Sequence, residues 1–124
     1  MRVPYDDRRD PPAPVLPIRI GLPRGDRALL LRALVDTGAD ATIIPEDVAR
    51  GLGLPVVSFV RVRGIGPVPL DAAVYSAEIE AAGVRRLVDV VGLGRETLLG
   101  RNVLNDWTIT LRGPEKVMEI SGQG

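Results

Sequence analysis

The chain has 124 residues, sixteen basic and sixteen acidic side chains that cancel, and neither cysteine nor histidine. A chain of this length forms one domain that buries about two-thirds of its unfolded surface, and its balanced charge creates no bulk field toward nucleic acid or an anionic membrane. Without cysteine there are no disulfides, thiol nucleophiles or thiolate metal sites, and without histidine neither a Ser-His-Asp triad nor the usual zinc ligation, so carboxylate chemistry remains and no cofactor is implied.

Residues 1–14 mix charges with prolines, hold no apolar stretch of the length a secretory signal needs, and predict a flexible or extended arm. Asp6, Asp7 and Asp10 in that arm read as solvated charge. Residues 15–124 make the single domain. Val15 to Leu22 predicts a strand whose Pro17 suits an edge, and Pro23-Arg24-Gly25-Asp26 a turn. Its Arg24-Gly25-Asp26 tripeptide resembles an integrin-recognition motif but reads as a hairpin turn. Ala28 to Val35 and Thr42 to Ile44 are strands. Pro45 to Gly51, with proline near the start, acids in the first turn and glycine at the end, predicts one or two helical turns. Val56 to Val62 alternates weakly, Gly64-Ile65-Gly66-Pro67 makes a hairpin tip, and Val68 to Glu80 returns as a long strand. Ala82-Gly83 turns the chain into a strand over Arg85 to Val91. Gly92-Leu93-Gly94 lacks the third glycine of a dinucleotide fingerprint. Arg101 to Asp106 predicts a second short helix, followed by strands over Trp107 to Leu111 and Lys116 to Ile120. Many short strands with Gly and Pro turns indicate a mainly β, closed or sandwiched barrel. No apolar run approaches the roughly eighteen residues of a membrane span, and a cytoplasmic location is the expectation.

The chemistry concentrates at Ala33-Leu-Val-Asp36-Thr37-Gly38-Ala39-Asp40-Ala-Thr-Ile-Ile-Pro45. An apolar strand carries Asp36 to its end, a short hydroxyl residue and a glycine permit a sharp reversal, and a second apolar strand follows. Asp-Thr-Gly alone is a common turn. Here both flanks are rigid, so the carboxylate is held on a fixed base.

The chain also resembles itself. Thr42-Ile43-Ile44-Pro45-Glu46-Asp47-Val48 falls on Thr97-Leu98-Leu99-Gly100-Arg101-Asn102-Val103, with Thr and Val identical at the ends. On this alignment Asp36-Thr37-Gly38 meets Val91-Gly92-Leu93, so the second copy has no acid. Two readings stand: a duplication with one carboxylate, which needs another chain for a two-carboxylate mechanism, or two strand-to-helix corners that merely look alike.

The Asp-Thr-Gly corner together with Thr97-Leu98-Leu99-Gly100-Arg101-Asn102-Val103-Leu104 resembles retropepsin-like aspartic proteases, the single-domain type of retroviruses and microbes. The resemblance spans about Leu29 to Trp107, and two motifs in the right order are more specific than one. It implies a closed β-barrel of the retropepsin-like acid protease type, with one or two short helices and a pseudo-two-fold within the chain. It also implies an endopeptidase acting on a peptide or protein substrate as a homodimer, in which a water between two Asp36 carboxylates attacks the scissile carbonyl and no covalent enzyme intermediate forms. By the same resemblance Thr37 would lock the two loops across the axis, and Gly38 would let substrate backbone approach. Ala39, Ile43, Ile65, Val68 and Leu98 would line the cleft, and Gly64-Ile65-Gly66 would be the tip of a flap. Arg101 would brace Asp40 through a buried or half-buried ion pair.

The sequence departs from that family in places. Retroviral members end soon after the short helix and interleave their free ends to form the dimer, whereas this chain continues past Trp107 and begins with an arm. Pro67 and Pro69 stiffen the returning limb of the hairpin and remove backbone donors. A non-catalytic peptide-binding or dimerisation module with the same fold is the alternative, and a small ligand-binding barrel would explain the strands but not the two motifs.

Overall fold

The computed structural model describes residues 1–63 and 66–122, so the predicted hairpin-tip residues Gly64 and Ile65 lie outside it. The described residues form β1 (Arg2–Pro4), β2 (Val15–Gly21), β3 (Ala28–Val35), β4 (Thr42–Ile44), α1 (Glu46–Leu52), β5 (Val56–Val62), β6 (Leu70–Ala81), β7 (Val84–Gly92), β8 (Leu98–Leu99), α2 (Arg101–Leu104), β9 (Trp107–Arg112) and β10 (Val117–Gly122). The architecture is mainly β. No helix among the described residues is long and apolar enough to cross a membrane.

Period-two patterning builds the larger sheet. In β2 the side chains of Leu16, Ile18 and Ile20 are fully buried while Pro17 and Arg19 face out. Each buried aliphatic contributes about 1.5–3 kcal/mol relative to exposure, so a one-residue slip, which would turn all three outward, is strongly disfavoured. Pro17 is tolerated because β2 has β3 along one side throughout but meets β6 only at Arg19–Gly21, leaving one side open beside the proline.

The seven strands run in the order β2-β3-β8-β4-β7-β6-β5, and the extra β2–β6 pairing returns the ladder to its first strand. Their registers repeat. The hairpin β2–β3, with Val15 opposite Leu34, is matched by β6–β7, with Val74 opposite Val91. The parallel contact of Leu34 with Leu98 and Val35 with Leu99 is matched by Val91 with Ile43 and Gly92 with Ile44. The two sets of strands meet in two antiparallel contacts between corresponding residues, Ile20 opposite Ile79 and Ile43 opposite Leu98. This register shifts one detail of the sequence self-alignment: the second-half counterpart of Asp36 is Leu93, not Val91, because the second half is two residues shorter between β7 and β8 than the first is between β3 and β4.

Several boundaries move for local reasons. The first helix runs through Gly51 and ends at Leu52, because Gly53 takes the left-handed conformation at φ 70° that lets its N–H and that of Leu54 close on the last carbonyls. The second helix stops at Leu104, two residues short of the expected Asp106. The returning limb of the long hairpin begins at Leu70 rather than Val68, directly after Pro69, where backbone donors resume. Ala82 and Gly83, both at positive φ, form the two-residue β6–β7 turn expected for them.

The arm is where expectation and structure differ most. Arg2–Pro4 is not free: it pairs with β10, which pairs with β9, in a separate three-stranded sheet. Met118 and Ile120 send this sheet's inner face into the main core, with Val3, Tyr5, Trp107 and Ile109 packed beside them. Nor is Asp6 a solvated charge. An Asp6–Ala13 bridge folds the arm back over β3, where Asp6 pairs with Arg8 and Arg32 and Arg9 pairs with Glu96. Arg8, which donates to it, holds the Asp6 carboxyl below its ordinary value.

Candidate active site

Asp36 sits at the first residue past β3, where the strand's last backbone contact fixes it. Its N–H donates to the Leu99 carbonyl at 3.1 Å, and its own carbonyl accepts from Ala39 N–H at 3.2 Å. The side chain closes a second, smaller turn, since Oδ1 accepts the Gly38 N–H at 2.9 Å. This is an Asx turn, the reason an Asp here both shapes the loop and has its carboxylate oriented by it. A Cβ at position 38 would lie 3.3 Å from Oδ1, so glycine leaves the carboxylate uncrowded. Asp36 is half-buried, while Thr37 and Gly38 are exposed at the loop's crest.

Arg101 ties the loop down from α2. Its backbone N–H donates to the Ala39 carbonyl at 2.9 Å, its Nη1 to the Thr37 carbonyl at 2.7 Å, and its Nη2 pairs with Asp40 Oδ1. The planar guanidinium serves a carbonyl and a carboxylate together, which an ammonium cannot do in the same geometry. The expected Arg101–Asp40 pair is therefore present, but it is not buried within one chain: the Asp40 side chain is 89% exposed and that of Arg101 42%. Asp40 lies on the outer lip of the loop, where no element among the described residues covers it.

Two positions absent from the expected site hold these parts together. A Cβ on Gly100 would fall 2.2 Å from the Ala41 carbonyl oxygen, so glycine is what allows the second corner to approach the first. Thr42, fully buried, accepts the Gly100 N–H at 3.2 Å and donates to Asn102 Oδ1 at 2.9 Å; Asn102 in turn donates to the Asp89 carbonyl at 3.0 Å. A threonine opening a short apolar strand, repeated at Thr97 in the second corner, was the available signal: a hydroxyl at a core position requires partners.

Asp36, Thr37, Gly38, Ala39, Asp40 and Arg101 are thus brought together, and Ile43 and Leu98 oppose each other in the adjoining ladder. Gly66 and Val68 lie in the β5–β6 connection, Val68 being exposed, and among the described residues no strand pairing or hydrogen bond links them with the Asp36 loop.

The family model for the gag-polyprotein putative aspartyl protease matches residues 28–106. The chain belongs to this family. The match begins with β3 and ends before β9, so it takes in the Asp36 loop, Gly100 and Arg101 and leaves β1, β2, β9 and β10 outside. No curated protein matches the chain significantly. A protease-like enzyme is the activity this membership supports.

Proposed function

We propose that this chain is an aspartic endopeptidase that hydrolyses peptide bonds as a homodimer, its seven-stranded sheet closing as a retropepsin-type barrel about an internal pseudo-two-fold axis. The observation that carries the reading is the pair of matched positions at the ends of β3 and β7, one filled by Asp36 and the other by Leu93. One chain supplies one carboxylate at such a position. A two-fold axis relating two chains supplies the second.

Two carboxylates facing one water cannot both ionise cheaply, so the pair shares a proton. The ionised Asp36 takes a proton from the water as its oxygen attacks the scissile carbonyl carbon, and the protonated Asp36 of the second copy donates to the developing oxyanion. On collapse of the tetrahedral diol the first Asp36 gives its proton to the leaving nitrogen as the C–N bond breaks, while a diol hydroxyl gives its proton to the second Asp36 as the carbonyl re-forms, which regenerates a singly protonated pair. Gly38 keeps the approach to the carboxylate open, and Thr37, at the crest, is the residue positioned to contact its counterpart. Ala39, Ile43, Leu98, Gly66 and Val68 are the candidates for contact with the peptide.

Hydrolysis of a quenched peptide library by the wild-type chain, lost on Asp36→Asn, is the expected result. Unchanged hydrolysis by Asp36→Asn would remove the mechanism, and peptide binding without hydrolysis by either protein would favour the binding-module alternative.

A further inference from the structure

We infer that two copies of this chain join edge to edge along β9, making one six-stranded sheet across the two-fold axis. The inference rests on the homodimer reading and names the surface that builds it. Among the described residues, β1, β5 and β9 each have a neighbour on one side only. Natural sheets guard such edges with proline, bulges or inserted charge. β1 has three residues and ends in Pro4, and β5 carries a register shift between Val56 and Ser58 and an arginine at position 61. β9 has neither proline nor bulge: Trp107-Thr-Ile-Thr-Leu-Arg pairs without interruption along β10 and offers an edge of strong strand formers whose one charge, Arg112, stands at its last residue.

The occupant follows from the site. An antiparallel edge pairing about a two-fold is self-complementary, and Asp36 needs a second copy related by such an axis. β9 is also the open edge nearest the site along the chain. Arg101, whose guanidinium holds the Thr37 carbonyl, is followed by one short helix and then by Trp107. The terminal sheet lies outside residues 28–106, so this surface belongs to the part of the chain that the family match does not describe.

Side-chain facing restricts the possible registers to those centred on a single residue. Residues that oppose each other in an antiparallel ladder point to the same face, and an axis normal to the sheet preserves that face, so one residue must meet its own copy. Centring on Ile109 sets Thr108 opposite Thr110 of the second copy and Trp107 opposite its Leu111. Leu111 is 48% exposed in the single chain and would gain an aromatic neighbour, and Arg112 would fall outside the paired stretch.

Because the chain has no cysteine, introduced thiols report the contact without background. Under oxidation, Thr108→Cys protein mixed with Thr110→Cys protein should form a disulfide-linked dimer, while each variant alone should not. The linked dimer should keep its specific activity on hundred-fold dilution, where the wild type loses most of its own. A Thr108→Lys/Thr110→Lys chain should sediment as a folded monomer at concentrations where the wild type is dimeric. A wild-type dimer with no 108–110 cross-link, together with a Lys variant that dimerises normally, would overturn the β9 interface and leave the homodimer standing. A wild type that is fully active as a monomer at every concentration would overturn both.

Discussion

The backbone amides of Asp36 and Leu93 make the same hydrogen bond in the two halves of the chain. Asp36 N–H donates to the Leu99 carbonyl at 3.1 Å and Leu93 N–H to the Ile44 carbonyl at 2.9 Å, each amide being the first past its strand and each acceptor the last residue of the corresponding short strand. The scaffold prepares two equivalent seats and puts an acid in only one. From this asymmetry comes the expectation that activity is a property of two chains.

Asp36→Asn should reduce peptide hydrolysis by at least about a thousand-fold, the scale of a lost general acid–base pair, with an unchanged circular dichroism spectrum. The wild-type rate should follow a bell in pH on the acid side of neutrality, because only the singly protonated pair holds both an acid and a base. A flat rate between pH 4 and 8 would contradict proton sharing.

Asp40 and Arg101 should be unequal partners. With Asp40 exposed, Asp40→Asn is expected to cost under about 1 kcal/mol. Arg101→Ala should cost about 1–2 kcal/mol, since the Thr37 carbonyl also loses its donor. A double-mutant cycle on denaturant midpoints, run at a concentration where the chain is monomeric, should give a coupling energy below about 1 kcal/mol. A larger coupling would mean that the ion pair is shielded from solvent.

Thr42→Val should cost about 1–3 kcal/mol, because it leaves the buried Gly100 N–H without its acceptor and Asn102 without a donor, whereas Thr42→Ser keeps both bonds and should cost less. Gly100→Ala forces a methyl group against the Ala41 carbonyl and should destabilise by about 2–3 kcal/mol. Urea denaturation of the three variants checks the order.

The terminal sheet should loosen in acid. Arg112, which donates to Glu119, and Arg2 on the opposite neighbouring strand hold the Glu119 carboxyl below the ordinary glutamate value, with desolvation acting in the other direction. A carboxyl lowered on folding contributes stability that is fully present above its unfolded value and is lost as pH falls through its folded value. The stability difference between wild type and Glu119→Gln, measured across pH 2 to 7, should therefore be largest above about pH 5 and close toward the acid end. A difference that grows on acidification would show that the ion cluster does not support folding.

Much of this protein was legible in its residues alone. Short apolar runs placed β2 and β3, weak alternation placed β5, and turn chemistry placed Ala82-Gly83, because each depends only on neighbours a few positions away. The Asp36 loop was equally visible, since an Asx turn is written in consecutive residues and the strand that carries it is continuously apolar. Tertiary structure decided what sequence spacing could not. It moved the counterpart of Asp36 from Val91 to Leu93, as strand register is set by backbone pairing across the sheet and not by residue count. It made Gly100 and Thr42 indispensable through contacts with residues far along the chain. It drew the charged arm onto Arg32, Glu96 and β10, where long-range pairing outweighed a composition that by itself indicates freedom. It also left Asp40 on the surface, because burial belongs to whatever packs over a side chain, and among the described residues nothing packs over this one.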